Sequence, residues 1–370
     1  MKRIVVSVTN DLSTDQRVHK TCSTLQDLGA LPLLVGRRLP DSLDLKRTYK
    51  THRMRLIFRR KVWFYVEYQL RLFLFLLFTK TDGLIANDLD TLLPNYLISK
   101  IKRIPLVYDT HEYYCHTPEL IHRPNVQRIW LTVERYIFPK LKYVITVNQS
   151  IANRYKEEYG NDIAVVRNVT PFPKEVKTYK RSDWGIPDEA FVLINQGSGI
   201  NVDRGMEEMV EALPHLPSDI ILLIVGRGDV IPKLKKKVRE NEAISKRIIF
   251  IPPQPYTTLL GITKLADVGL SLDKTTNPNY RFSLPNKLFD YIHCGLPVVG
   301  SSVVEVARII RNYNIGAVIE SHDVHEITNA ILDVKEKGVE QFSECLKRAS
   351  NDAQWTNEQT VLINSIKPLT

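Results

Sequence analysis

The sequence predicts two doubly wound α/β domains, each a parallel sheet with helices on both faces. Length, rhythm and one interruption carry that reading. The chain has 370 residues, which at roughly 100 to 200 residues per domain makes two domains, each able to bury a core without staples. Short apolar runs alternate with amphipathic helical stretches, the βαβ rhythm of a parallel sheet, whose neighbouring strands need crossovers. Residues 168–187, Asn-Val-Thr-Pro-Phe-Pro through Gly-Ile-Pro, are proline-rich without a sustained apolar period and read as a linker. Domains are therefore expected at 1–170 and 171–350, with a final segment at 351–370.

Each element has a local reason. In the first domain, strands are expected at 4–8, 31–35, 83–86, 104–108 and 142–147. The runs Ile104-Pro105-Leu106-Val107-Tyr108 and Tyr143-Val144-Ile145-Thr146-Val147 are apolar enough to be buried on both faces. In the second, strands are expected at 191–196, 220–226, 248–251, 268–272 and 297–300. The tail from Asn351 to Lys367, with Trp355 and spaced Val361, Leu362, Ile363 and Ile366, reads as a last amphipathic helix. Open α/β sheets bind ligands beyond the carboxyl ends of their strands, so two such domains imply a cleft served by loops from both.

Lys and Arg number 51 against 41 Asp and Glu, a net charge of +10, with 44% hydrophobic and 25% charged residues. This is an ordinary globular composition and excludes disorder and collagen. Cys22, Cys115, Cys294 and Cys345 form no C-x-x-C pair, so neither a disulfide framework nor a structural zinc site is indicated, and a reducing cytoplasm fits best. Met1-Lys2-Arg3 leads into Ile4–Val8, a first strand rather than a signal-peptide core. From Lys46 to Lys61 there are eight Lys and Arg and no acid, followed by the apolar stretch Val62–Phe78. Glu67, Gln69 and Arg71 interrupt that stretch, which excludes a transmembrane helix. A core helix with one buried face and a helix lying on an anionic membrane surface both remain open for 46–78. Nothing spells a nucleic-acid module, so no nucleic-acid partner is expected.

Gly197-Ser198-Gly199 follows a strand, and Asp203-Arg204-Gly205-Met206 opens a helix soon after. Glycines admit close backbone approach, a helix start offers free N–H groups and Arg204 adds fixed charge, so a phosphate is the natural guest. An ordinary strand-to-helix turn is the competing reading, here and at Gly226-Arg227-Gly228-Asp229. No G-x-G-x-x-G follows the first strand, which ends Thr9-Asn10-Asp11, so a dehydrogenase is set aside.

The most specific segment is Tyr280-Arg281-Phe282-Ser283-Leu284-Pro285-Asn286-Lys287-Leu288-Phe289-Asp290-Tyr291 running to Gly295-Leu296-Pro297-Val298-Val299. It resembles the nucleotide-sugar site of glycosyltransferase family 4, retaining enzymes of the two-domain GT-B fold. Val166-Arg167-Asn168, Val202-Asp203-Arg204-Gly205, Ile224-Val225-Gly226-Arg227-Gly228 and Leu265-Ala266-Asp267-Val268-Gly269-Leu270 extend the resemblance over most of 160–320. It implies a nucleotide diphosphate-sugar as co-substrate, with no other cofactor and no metal. The donor site it implies comprises Gly197, Ser198, Gly199, Arg204, Gly226, Leu284, Asn286, Lys287 and Asp290. Lys287 and Arg204 would meet the diphosphate and stabilise it as it leaves, while Asp290 would accept the ribose hydroxyls.

Two departures stand out. Phe282 occupies the position at which the family carries a sugar-gripping carboxylate, and the arginine usual near the phosphate loop is missing, with Ser198 nearby. In the first domain, Thr110-His111-Glu112 resembles the family's histidine beside the donor sugar, which makes His111 the expected catalytic residue; a satisfied core histidine is the competing reading. Retaining front-face transfer lets the leaving phosphate take the acceptor's proton, so no protein base is required. Asp11 and Asp15 are candidates for the acceptor hydroxyl or for a helix N-cap. Asp88 and Asp90 form a D-x-D, which in a GT-A glycosyltransferase would hold a divalent cation; otherwise Asp90 caps the helix from Thr91 and Asp88 is a loop acid. The resemblance also implies a last helix that crosses back to the first domain.

The expectation is a cytoplasmic glycosyltransferase, peripheral on the inner membrane face, acting on a glycan or lipid-linked glycan in cell-surface polysaccharide synthesis. Its rivals are a nucleotide-sugar-binding protein without turnover, motivated by Phe282, and the metal-dependent GT-A enzyme.

Overall fold

A computed structural model describes residues 1–13, 15–40, 42–59 and 61–370, with the Lys61 side chain left aside. Of the segments singled out above, Arg60 and the Lys61 side chain in the basic run lie outside the described residues. The chain divides into two compact units, one formed by 1–168 with 356–370 and the other by 169–355.

The first unit is built on seven parallel strands: β1 (Arg3–Asp11), β2 (Leu31–Arg37), β3 (Lys50–Met54), β4 (Gly83–Asn87), β5 (Leu106–Thr110), β6 (Tyr143–Thr146) and β7 (Ile163–Val165). Their order is β3-β2-β1-β4-β5-β6-β7, so the order in which strands are added to the sheet reverses between the neighbours β1 and β4, which still run parallel. β4 and β5 are buried throughout, as strands covered on both faces must be. The last helix, Trp355–Ile366, is tied to this unit: buried Glu358 accepts 2.7 Å hydrogen bonds from the Arg167 backbone N–H and from Arg167 Nε.

The second unit has six parallel strands: β8 (Phe191–Gly197), β9 (Ile220–Gly226), β10 (Ile248–Ile251), β11 (Val268–Ser271), β12 (Val298–Ser301) and β13 (Gly316–Ile319). Their order is β10-β9-β8-β11-β12-β13, with the reversal between β8 and β11. Its core is aliphatic, from Val192, Leu193 and Ile194 through Leu222 and Val268 to Val298 and Val299.

β3, β7 and β13 went unforeseen, and all three are sheet edges. β3 reads Lys-Thr-His-Arg-Met inside the basic run and buries only Met54 fully; β7 is half-buried along its length. An edge strand has one flank toward water and needs no apolar run, so its sequence carries little signal.

The 62–78 stretch is a helix, Lys61–Phe78, with two apolar faces. Phe64, Tyr68, Leu72 and Leu76 are buried, and Tyr68 donates to the Val8 carbonyl at 2.6 Å. Val62, Val66, Leu70, Leu74 and Phe78, again four residues apart, are exposed together with Trp63. Among the described residues no helix is long and apolar enough to cross a membrane.

Candidate active site

In the second unit the reversal between β8 and β11 opens a pocket of about 330 Å³ beyond the strand ends. Open α/β sheets place ligands at such a point. Asn195 to Ile200 supply one wall, Arg204 and Asp273 the floor, and Pro285, Asn286 and Lys287 the other side. Lys287 lies in the first turn of the helix Asn286–Cys294, where unpaired N–H groups and the helix dipole favour an anion. Its Nζ donates to Asn195 Oδ1 at 2.9 Å and lies 3.9 Å from Asp273 Oδ1. Burial pulls the Lys287 ammonium below its ordinary pKa, against the pull of Asp273. Arg204 Nη1 is 3.3 Å from the same Asp273 oxygen, and its guanidinium lies over the Tyr280 ring at 4.1 Å. Two cations thus share one buried carboxylate at a concave, glycine-walled site, an arrangement suited to a diphosphate.

The other expected donor residues take different places. Gly226 packs rather than lines the pocket: at φ +134°, a Cβ there would stand 1.9 Å from the Gly197 carbonyl oxygen. Leu284 packs against the core of the unit. Asp290 is buried outside the pocket lining, accepting from Tyr256 Oη at 2.8 Å and Gln196 Nε2 at 3.0 Å. Its burial pushes the carboxyl up to about 6. Asn195, Asp273 and Tyr280 were missed, since each precedes the long motif or sits in it without a charge pattern to mark it.

The first unit has a second pocket of about 570 Å³ at its own reversal point, between the ends of β1 and β4. His111 lines it with Asp88, Asp90, Asn10, Arg37, Tyr65 and Tyr114. Asp88 has φ +59°, an unusual backbone for a side-chain-bearing residue, of the kind found at functional sites. That bend aims its carboxylate at the next strand end, where Oδ1 accepts from the His111 backbone N–H at 2.8 Å and Oδ2 lies 3.3 Å from Nδ1. His111 Nε2 is 3.2 Å from Asn87 Oδ1 and 3.6 Å from Asp109 Oδ2. Burial alone would lower the imidazole's pKa; Asp88 and Asp109 more than reverse this and raise it to about 9. At neutral pH His111 is therefore a cation and a hydrogen-bond donor.

Arg17, unforeseen, anchors this centre. It grips Asp109 through Nε at 2.9 Å and Nη2 at 2.7 Å, and donates to the Val166 carbonyl at 2.8 Å, all buried. Against burial, the Arg17 guanidinium holds the Asp109 carboxyl far below the usual range.

The D-x-D acids diverge. The helix runs from Leu89 to Lys102, so Asp88, not Asp90, stands at the N-cap position, and its side chain serves His111 instead of the cap. Asp90 lies in the first turn and accepts from Thr9 Oγ1 at 2.6 Å; burial raises its carboxyl to about 7. Among the described residues no three His, Cys, Asp or Glu side chains are grouped to hold a metal ion. Asp15 caps the helix Gln16–Asp27 by accepting from the Val18 N–H at 3.1 Å. Asp11 is bound by Ser13, Ser42 and Arg53. Neither lines the His111 pocket; Thr9 and Asn10 of the same segment do.

Comparison with known proteins places this architecture. Residues 15–170 match the family described as Glycosyltransferase Family 4, and residues 191–337 match Glycosyl transferases group 1. The chain belongs to glycosyltransferase family 4. Its fold is GT-B, which excludes the GT-A alternative. Sucrose-phosphate synthase from Thermosynechococcus elongatus superposes with TM-score 0.79 at 16% identity, over 97% of both chains. Anabaena HepE, crystallised with UDP and glucose, gives 0.75 at 14% identity, over 99% of this chain and all of that one. Among curated relatives, the D-inositol 3-phosphate glycosyltransferase of Xylanimonas cellulosilytica is 24% identical over 170 residues, 44% of this chain and 38% of that protein. That of Mycolicibacterium smegmatis is 22% identical over 188 residues, 50% of this chain and 42% of the relative. The match thus spans about two fifths of the length of these relatives.

Proposed function

We propose that this family 4 protein transfers a sugar, with retention, from a nucleotide diphosphate-sugar to a hydroxyl of a glycan or lipid-linked glycan in cell-surface polysaccharide synthesis. The observation that carries the reading is the pair Arg204 and Lys287, joined through Asp273, in a glycine-walled pocket at the β8/β11 reversal. The diphosphate binds there, against both cations and the first turn of the helix Asn286–Cys294. As the glycosidic bond breaks, negative charge grows on the leaving phosphate, and these fixed donors favour that state over the ground state. The leaving oxygen accepts the acceptor's proton, so no side chain must act as base. That suits His111, held charged by Asp88 and Asp109, which donates to and orients the reacting sugar. UDP is the first nucleotide to try, since the HepE structure contains it.

The acceptor belongs to the first unit, where Arg37, Tyr65, Tyr114 and the acids around His111 offer donors, acceptors and stacking faces for a polyhydroxylated ring. A lipid-linked acceptor is supported by the exposed apolar row Val62, Val66, Leu70, Leu74 and Phe78 beside exposed Arg55 and Arg59. Such a helix can lie in an anionic interface on the cytoplasmic side. Co-sedimentation with phosphatidylglycerol vesicles at low salt tests this: binding that Leu70→Glu with Leu74→Glu abolishes supports it, and none at all removes the membrane partner.

Incubating the protein with labelled UDP-sugars and a panel of glycan and lipid-linked acceptors tests the activity itself. A labelled product lost in Lys287→Ala is the expected result. Tight nucleotide binding with neither transfer nor donor hydrolysis would favour binding without turnover, the reading that Phe282 motivates.

A further inference from the structure

Asp273 lies two residues beyond the end of β11, in the floor of the second-unit pocket, and is 1% exposed. One of its oxygens serves both pocket cations, at 3.3 Å from Arg204 Nη1 and 3.9 Å from Lys287 Nζ. Neither oxygen makes a hydrogen bond of ordinary geometry. Among the described residues no other carboxylate lies within 4.0 Å of either cation. We infer that Asp273 is a positioning residue, the buried counter-charge that keeps Arg204 and Lys287 both charged and in place before the donor arrives. This rests on the pocket being the diphosphate site.

Among the carboxylates of the described residues, the surroundings leave that task to Asp273; Tyr280 adds to the hold on Arg204 only. Asp290, on the same helix as Lys287, is taken by Tyr256 and Gln196. The Tyr291 hydroxyl donates toward the Ile194 and Leu270 carbonyls, and Tyr280, which reaches Arg204 through its ring and its hydroxyl, does not bear on Lys287. Lys274, next in the chain, is tied to Glu208. The Asp273 backbone is pinned, its carbonyl accepting from Ser301 Oγ and that of Leu272 from His322 Nε2.

Two partly buried cations held side by side repel, and only one can yield, since arginine does not give up its proton in proteins. Burial and Arg204 both pull the Lys287 ammonium down, and Asp273 opposes them. Without Asp273 nothing opposes these two pulls, so the Lys287 ammonium titrates lower in the empty pocket, and the fraction that is neutral regains its proton when a diphosphate enters. Nucleotide binding then takes up as much as one proton, and affinity falls by about tenfold per pH unit above the new lysine pKa.

The test is UDP titration by calorimetry at pH 6.5 and 8.5, in two buffers of different ionisation enthalpy, without inorganic phosphate. Wild type is expected to bind with little proton uptake and nearly pH-independent affinity. Asp273→Asn is expected to approach one proton at pH 8.5 and to lose at least tenfold in affinity between the two pH values. Asp273→Asn with Lys287→Arg restores the flat profile, because that cation cannot deprotonate. Binding by Asp273→Asn that is unchanged, or weakened equally at both pH values, overturns the inference. In parallel, the Lys287 ε-amine is titrated by ¹⁵N NMR without nucleotide, its signal identified by its loss in Lys287→Arg. A clear fall in its pKa on Asp273→Asn supports the inference and no fall overturns it. If UDP does not bind wild type, the donor reading fails while the amine titration still decides the role of Asp273.

Discussion

Replacing Asp88 by Asn should discharge His111 at neutral pH. The imidazole stands at about 9 against an ordinary 6.5, a difference of about 2.5 pKa units and so about 3 kcal/mol favouring the charged ring. Two carboxylates supply it against the cost of burial, but they are not equal. Asp109, 3.6 Å away, is already neutralised by Arg17, whereas Asp88 at 3.3 Å has no cationic partner other than His111 among the described residues. Asp88 therefore carries most of the effect, and Asp88→Asn should return His111 to 6.5 or below. Because the folded-state pKa is raised, the associated stability is complete below pH 6.5 and is lost as pH rises through about 9; in Asp88→Asn that dependence vanishes. Long-range ¹H–¹⁵N NMR of the ring nitrogens reads both proteins directly. A wild-type His111 titrating near 6.5, or an Asp88→Asn value still near 9, would refute the electrostatic account of this centre.

Two further substitutions probe the scaffold beneath the pockets. Arg17→Ala leaves Asp109 buried without its bidentate partner, and should cost about 3–5 kcal/mol, seen as a melting temperature lower by on the order of 10 °C. Gly226→Ala places a Cβ 1.9 Å from the Gly197 carbonyl oxygen at φ +134°, so urea denaturation should show a loss of at least about 2 kcal/mol; a neutral result would mean that the β8 and β9 ends part easily.

The sequence was most legible where strands are central and motifs are long. Val107-Tyr108 or Leu222-Leu223-Ile224 cannot be anything but buried, while β3, at an edge, is written in the same basic residues as a surface loop. Arg204 was found because positive charge beside glycine after a strand is a local signal, and Lys287 because it sits in the long motif that resembles the family's; the structure brings the two onto one carboxylate. Asp273 itself was not, because its role depends on residues 69 and 14 positions away in the chain. The same holds for Arg17, whose partner Asp109 is 92 residues distant. Asp88 and Asp90 show the limit from the other side: a spacing that suggests one shared cation resolves into one acid on His111 and one on Thr9.

The central claim, a metal-independent diphosphate site built on Lys287 and Arg204, is tested most directly by a thermal-shift panel. Nucleotide diphosphates and nucleotide sugars are compared with Mg²⁺ and with EDTA, on wild type and Lys287→Ala. A ligand that binds only the native state raises the melting temperature by mass action. The account predicts that one nucleotide series stabilises wild type equally in EDTA and Mg²⁺, and that Lys287→Ala weakens its binding by about 10- to 100-fold, the worth of one charge-assisted contact. Stabilisation that requires metal and survives Lys287→Ala would contradict it.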